Sequence, residues 1–282
     1  MGSDLLKSVI RATVPRPIRN WLRSPSRSTQ WLWDASRFYL GSTEALHFPQ
    51  DWTLVCHPHA RRVAYQSQIA DPEQREEFQS FVSQCSCSTF LLDIGASFGV
   101  FSLAAAHFGG KAIAVDPSPI ATRMIARQSA LNRLTDKIRI IQAAVSDEGG
   151  AVDMVNSGVF GDGYFIMSQG RAKSELTRAQ AITIDQIVSQ HGAPTHIKID
   201  VEGQEAAVLR GGRKALDQHS PILFLELHTE MIASEGGDPC LALNELIQLG
   251  YETFAFNGIS LGRDAILQKP LIRVLAARAT GN

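Results

Sequence analysis

The chain contains 282 residues, of which 44% are hydrophobic and 20% charged, and its formal net charge is −1 at pH 7. These values are typical of a globular protein with a substantial apolar core. The balanced charge argues against a dedicated nucleic-acid binder, which needs a basic face for phosphates. The sequence also lacks the run of about 20 apolar residues that a membrane-spanning helix requires.

The cysteines and the N-terminus indicate a reducing compartment. Cys56, Cys85, Cys87 and Cys240 are not spaced as a disulfide framework, and the pair Cys85 and Cys87 lacks the second ligand pair of a zinc site. The first residues lack the compact apolar stretch of a secretory signal. We therefore expect a cytoplasmic protein with free thiols.

Residues 1–28 are predicted to form a basic amphipathic N-terminal arm. Arginine and lysine alternate with apolar residues there, and Pro15 and Pro17 interrupt any helix. The prolines favour a solvated arm that packs loosely on the protein. The alternative is peripheral contact with an anionic membrane surface or with an acidic partner.

Residues 29–88 are predicted to be an extension that covers one edge of the core. The region is less periodic and closes with a helical stretch from Pro72 to Gln84. Within it, the proline of His57-Pro58-His59 favours an extended turn. Contact of the two histidines with a metal or a substrate is the alternative.

From residue 89 to residue 282 the pattern becomes regular and predicts an α/β domain. Short apolar runs alternate with helical patterns, which indicates a Rossmann-like, seven-stranded, mostly parallel sheet with helices on both faces. The last two runs follow each other without a helix-length gap, so they should form an antiparallel hairpin at a sheet edge. The predicted strands are Phe90–Ile94, Ala112–Val115, Ile138–Val145, His196–Val201, Ile222–His228, Thr253–Phe256 and Ile272–Ala277.

The first strand of this domain runs into a glycine-punctuated turn before a helix. The spacing Gly95-x-x-x-Gly99 differs from the Gly-x-Gly-x-x-Gly of dinucleotide enzymes, which hold a pyrophosphate. We expect a ligand to approach the backbone closely at both glycines. Asp93, at the end of the strand, is placed to accept hydrogen bonds from a cofactor ammonium group, and capping of the following helix is its alternative role.

A second acidic residue, Asp116, ends the next strand and is followed by Pro117. A carboxylate about 20 residues after the glycine turn binds a ribose diol in Rossmann-like folds generally. This position is shared by enzymes that use NAD. The spacing of the two glycines is therefore what favours a cofactor without phosphates.

Further titratable residues lie near the ends of two later strands. If its strand continues that far, period-two alternation places Lys198, Asp200 and Glu202 on one side, and it does the same for Glu226 and His228. His228, Asp200 or Glu202 is the candidate catalytic base.

Alternatively, Asp200 with Glu226 and His228 holds a divalent metal. For Lys198 we expect a structural pairing with a carboxylate. Glu205, and in one reading Glu202, favours the next helix through its dipole.

The order of these motifs resembles the FkbM family of methyltransferases. The resemblance spans about Phe90 to His228 and includes the segment Lys198-Ile199-Asp200-Val201-Glu202-Gly203. It implies a class I methyltransferase that uses S-adenosylmethionine to methylate a hydroxyl of a small molecule or sugar. The cofactor residues it implies are Asp93, Gly95, Ala96, Ser97, Gly99, Asp116, Pro117 and Ala144.

The chain departs modestly from the family pattern, because Ser97 stands where Asn is frequent and Asp116 where Glu is frequent. Both changes keep hydrogen-bonding groups. The segment Gly158–Tyr164 is either a mobile flap over the substrate or a plain hairpin loop.

Two other functions compete with the methyltransferase. One is an NAD-dependent oxidoreductase, and the other is a non-catalytic methyltransferase-like module that binds a partner through its basic arm. The expected partner of the main hypothesis is a small-molecule acceptor, with no specific nucleic acid, and the sequence does not indicate an oligomeric state.

Overall fold

The computed structural model describes residues 41–156, 164–166 and 176–278. The predicted arm at 1–28 and residues 158–163 of the predicted flap lie outside these ranges. In the part described, no helix has the length and apolar character needed to cross a bilayer.

Residues 44–84 fold into a hairpin followed by helices, of which only the last was predicted. Their bounds are β1 Glu44–Phe48, β2 Trp52–Cys56, α1 Pro58–Tyr65, a π-helical turn Gln66–Ala70 and α2 Pro72–Gln84. Helix α2 has its predicted bounds, because Asp71 accepts the Gln74 N–H at 2.8 Å and Pro72 occupies the first turn. The extended turn predicted at His57-Pro58-His59 is wrong in part. His57 is extended and caps α1, whereas the next two residues are helical.

The central sheet confirms the predicted fold class. The chain passes through β3 Phe90–Ile94, α3 Val100–His107, β4 Lys111–Val115, α4 Pro119–Leu131, β5 Ile138–Ile141, β10 His196–Ile199, α6 Glu205–Arg210, α7 Arg213–His219, β11 Ile222–Leu227, α8 Thr229–Ser234, α9 Leu241–Gln248, β12 Tyr251–Phe254, α10 Arg263–Leu267 and β13 Ile272–Arg278. The strands stand in the order β5-β4-β3-β10-β11-β13-β12, and all neighbours are parallel except where β13 lies between β11 and β12.

A second sheet interrupts this alternation and was not predicted. It has the order β6-β9-β7-β8 and contains β6 Ala144–Val145, β7 Gly150–Asn156, β8 Tyr164–Ile166 and β9 Leu176–Ile182, after which α5 Ile184–His191 returns the chain to the central sheet. The single strand predicted at Ile138–Val145 is therefore wrong, because its last residues pair with β9. The short helix α10 also separates the two strands of the predicted C-terminal hairpin, although their antiparallel pairing is confirmed.

Alternate residues of the central strands enter two cores on opposite faces of the sheet. On one face, Leu91 and Phe224 pack against the N-terminal elements, where Trp52 stacks on Phe48 with ring centroids 4.5 Å apart. On the other face, Leu92 and its neighbours pack against α5, α6 and α9. The domain boundary predicted at residue 88 stays a prediction.

Candidate functional site

A cavity of about 270 Å³ opens near the carboxyl ends of the central strands. Because β3 pairs with β4 on one side and β10 on the other, the connections leave in opposite directions here, and open α/β sheets bind ligands at such points. The predicted residues that line the cavity are Asp93, Gly95, Ala96, Ser97, Asp116, Pro117, Ala144, Asp200, Glu202 and Glu226. Two described residues of the predicted set, Gly99 and His228, do not line it.

The packing of the protein itself requires both glycines of the turn. A Cβ at Gly95 would lie 1.7 Å from the backbone oxygen of Asp200, and one at Gly99 would lie 2.9 Å from the Ile125 side chain. Both glycines have left-handed backbones, with φ of +75° and +74°. The space of the missing side chains is thus taken by protein. Gly95 also lines the cavity, and close approach of a ligand to the backbone at the two glycines stays a prediction.

Asp93 holds the start of α3 from the tip of β3. Its Oδ2 accepts hydrogen bonds from the Ser102 N–H at 3.1 Å and the Ser102 hydroxyl at 2.7 Å. Burial raises the pKa of Asp93, while Ser102 and the charge of Lys198 oppose that rise. The helix-stabilising role is therefore present in the structure. The carboxyl group also faces the cavity, and its contact with a cofactor stays a prediction.

Asp116 fixes the loop that follows β3. Its two oxygens accept the N–H groups of Ser97 and Ser118, each at 2.8 Å, and burial raises its pKa to about 7 against these two hydrogen bonds. Ser97 has a left-handed backbone with φ of +49°, a conformation that Asn adopts more readily than most residues. The hydrogen bond from its N–H to Asp116 holds Ser97 in place.

The strand that carries Lys198 ends earlier than predicted, at Ile199. Asp200 and Glu202 therefore lie in the following turn, and the period-two alternation predicted for them is wrong. Glu202 is left-handed with φ of +54°. A glutamate in this conformation, with its side chain half-exposed at a cavity, is the kind of backbone strain that concentrates at functional sites.

His228 is held between carboxylates at the start of α8. Its Nδ1 lies 2.7 Å from Oε1 of the buried Glu205, and its Nε2 lies 3.7 Å from Asp200 and 3.5 Å from Glu202. Burial lowers the pKa of His228, but the hydrogen bond to Glu205 and the surrounding carboxylates raise it to about 9. The imidazole is therefore protonated at neutral pH. Sequence reasoning missed the role of Glu205, since no local pattern relates it to a residue on another element.

A buried ring of charges lies beside the cavity and includes two residues that were not predicted. The Nζ of Lys198 lies 2.8 Å from both Glu77 and Glu226, and Arg273 lies 2.9 Å from Glu226 and 3.4 Å from Glu77. The predicted pairing of Lys198 with a carboxylate is thus present. Burial raises the pKa of Glu226, but the two cations outweigh that effect and lower it well below its usual range.

The predicted metal ligands do come together. One ligand atom from each of Asp200, Glu226 and His228 lies within 4.8 Å of the others, and the described residues contain no other such group. Both Glu226 oxygens already contact cationic side chains, Lys198 at 2.8 Å and Arg273 at 2.9 Å. A divalent ion here would therefore compete with these two cations for Glu226.

Sequence reasoning missed one wall of the cavity. It is formed by residues of α1, the π-helical turn and the start of α2, namely Val63, Ala64, Ser67, Gln68 and Gln74. These residues are far in sequence from the cofactor loop and carry no motif. Only the packing of the N-terminal elements on the sheet brings them to the site.

Comparisons with known proteins give the family. Among solved structures, the chain is similar to the methyltransferase FkbM from Methylobacillus flagellatus KT, with 18% identity and a TM-score of 0.47 over 69% of this chain and 44% of that one. It is similar to a TehB-like SAM-dependent methyltransferase from Corynebacterium glutamicum, with 10% identity and a TM-score of 0.45 over 79% and 96% of the two chains.

A further similar structure is an O-methyltransferase from Bacillus cereus in complex with SAH, with 13% identity and a TM-score of 0.42 over 78% and 88% of the two chains. No curated protein matches the chain. The chain spans less than half the length of the Methylobacillus protein. The model of the methyltransferase FkbM domain matches residues 93–253, which is more than half of the sequence. The chain therefore belongs to the FkbM methyltransferase family.

Proposed function

We propose that this protein transfers a methyl group from S-adenosylmethionine to a hydroxyl group of a small molecule or sugar. The proposal rests on family membership and on one observation, the carboxyl group of Asp200 at the cavity, 3.7 Å from Nε2 of His228. S-adenosylmethionine supplies an electrophilic methyl group on a sulfonium when bound. Asp93 and Asp116 line the cavity where its ammonium group and its ribose would be held.

Asp200 is the base that the geometry favours. Burial and the charge of Glu226 raise the pKa of Asp200, and the charges of Lys198 and His228 oppose that rise. With its pKa raised to about 8, Asp200 accepts a proton from a hydroxyl more readily than an ordinary aspartate does, and its ionised form dominates above about pH 8. His228 already carries a proton below pH 9, so its role is to balance the charge of Asp200, and Glu205 fixes its orientation.

Metal-assisted transfer is the second candidate, because three ligand atoms of Asp200, Glu226 and His228 lie close enough for one ion. Chelation separates the two mechanisms. If Asp200 acts as the base, methyl transfer continues in excess EDTA, and loss of transfer with recovery on adding Mg²⁺ or Mn²⁺ would favour the ion.

The cofactor proposal is tested by thermal unfolding with S-adenosylhomocysteine, S-adenosylmethionine or NAD. A ligand at 100 times its Kd stabilises the protein by about 2.7 kcal/mol, so we expect a clear shift with the first two ligands. Asp200→Asn should keep this shift and lose most label transfer from methyl-labelled S-adenosylmethionine. Stabilisation by NAD alone, or full turnover in Asp200→Asn, would contradict the proposal.

A further inference from the structure

The cavity wall formed by Ser67, Gln68 and Gln74 lies outside the sequence matched by the family domain. Ser67 and Gln68 belong to the π-helical turn and Gln74 to the first turn of α2, whereas the match begins at residue 93. The cofactor loop, Asp116 and Ala144 line other parts of the same cavity. A ligand that fills the cavity beyond the cofactor therefore meets residues from outside the matched segment.

The polar groups of this wall are free to bind a ligand. Within the described residues, the side chains of Ser67, Gln68 and Gln74 make no hydrogen bond, although all three are half-buried. A glutamine side chain offers two donors and one acceptor oxygen, and a serine hydroxyl offers both functions. The wall thus presents uncharged donors and acceptors side by side.

The π-helical turn itself points to function. Its i to i+5 bond joins the Asp71 N–H to the Gln66 oxygen at 2.8 Å, and none of its five residues is fully buried. Ile69 packs against the core from a partly buried position, whereas Ser67 and Gln68 of the same turn line the cavity. Such turns are rare and frequently occur at functional sites, because the extra residue redirects the side chains around it.

We propose that Ser67, Gln68 and Gln74 form the acceptor subsite and that the acceptor is an uncharged molecule bearing several hydroxyl groups. This inference rests on the proposed methyl transfer. Uncharged donors and acceptors match hydroxyl groups, each of which both donates and accepts. A site built of such groups rejects analogues that leave them unpaired.

The test uses the double variant Gln68→Ala/Gln74→Ala, with Gln84→Ala as the matched control. Gln84 lies at the other end of α2, bonds to Ser80 on its own helix and does not line the cavity. The acceptor probe is the uncharged small-molecule fraction of an extract of the source cells, collected as the flow-through of anion- and cation-exchange resins. Label transfer is measured against the concentration of this fraction, and S-adenosylhomocysteine affinity is measured by calorimetry.

We expect the double variant to need about 25-fold more of the fraction for half-maximal transfer, since each of the two lost hydrogen bonds costs about fivefold. Its Kd for S-adenosylhomocysteine should stay within twofold of the wild type, and Gln84→Ala should match the wild type in both measurements.

If the two variants need the same concentration of the fraction for half-maximal transfer, the proposed acceptor subsite is refuted. A parallel loss of S-adenosylhomocysteine affinity would instead assign the wall to the cofactor. The material eluted from the two resins is assayed in parallel, and label transfer to that material alone would overturn the uncharged class. A wild-type protein that binds no S-adenosylhomocysteine would instead refute the proposed function itself.

Discussion

Removing the charge of Glu77 should destabilise the protein strongly at about pH 8.5, because this residue belongs to an almost fully buried ring of charges. Burial raises the pKa of Glu77 to about 7, against the charge of Lys198, so its carboxyl group is ionised at that pH. Its side chain is 1% exposed, and it shares Lys198 and Arg273 with Glu226. Glu77→Gln keeps the size of the side chain and therefore creates no cavity. It leaves two buried cations opposite one carboxylate, with the Lys198 ammonium 5.4 Å from the Phe101 ring centroid.

Breaking a buried ion pair from one side costs about 3–5 kcal/mol. Glu73→Gln is the matched control, since Glu73 lies one turn earlier on α2 and pairs with Lys269 and Arg273 while 54% exposed. A solvent-exposed pair contributes about 1 kcal/mol or less. The two variants should therefore differ by at least about 2 kcal/mol in the free energy of unfolding.

Urea denaturation followed by circular dichroism measures this difference, provided that the slope of each transition is unchanged. Glu77→Asp keeps the charge with a shorter side chain and should recover part of the loss. If Glu77→Gln unfolds within about 1 kcal/mol of Glu73→Gln, the ring does not hold α2 on the sheet. Lys198 would then not depend on Glu77 for the balance of its charge.

Two further variants test the turn and the histidine. Gly95→Ala should cost more than about 4 kcal/mol or prevent folding, because its methyl group would lie 1.7 Å from the Asp200 oxygen. Gly258→Ala, with φ of +83° and open space, should cost only about 1–2 kcal/mol. Similar losses in urea denaturation would refute the steric argument. Because the pKa of His228 is raised from 6.5 to about 9, it contributes about 3 kcal/mol of stability below pH 6.5 that is lost as pH rises through 9. Glu205→Gln should remove much of this contribution, so its deficit relative to the wild type should shrink between pH 6 and pH 9.5, and a constant deficit would contradict the assignment.

The sequence predicts the central sheet well because its strands are short apolar runs between helical patterns. The tips of β3 and β4 could also be located, since Asp93 and Asp116 each end such a run. The break between Ile141 and Ala144 could not be seen. A continuous apolar run has the same pattern whether it stays in one sheet or passes to another.

The contacts of the site were less predictable than its location. Glu205 and His228 meet because two different loops end beside each other, and Glu77 reaches Lys198 from a helix more than a hundred residues earlier. The number of residues that separate the two partners in the chain predicts neither contact. Propensity and periodicity report on neighbours along one element, whereas these pairs depend on how separate elements pack.

The segment matched by the family domain is not a complete structural unit in this chain. It ends at residue 253, yet β13 lies between β11 and β12 in the central sheet. Two members of the charged ring, Glu77 and Arg273, also come from outside the match. Without Glu77, Lys198 would keep only the carboxylate of Glu226. Without β13, strand β12 would no longer be joined to β11 and the rest of the sheet. The flanking sequence therefore completes both the fold and the electrostatics of the site.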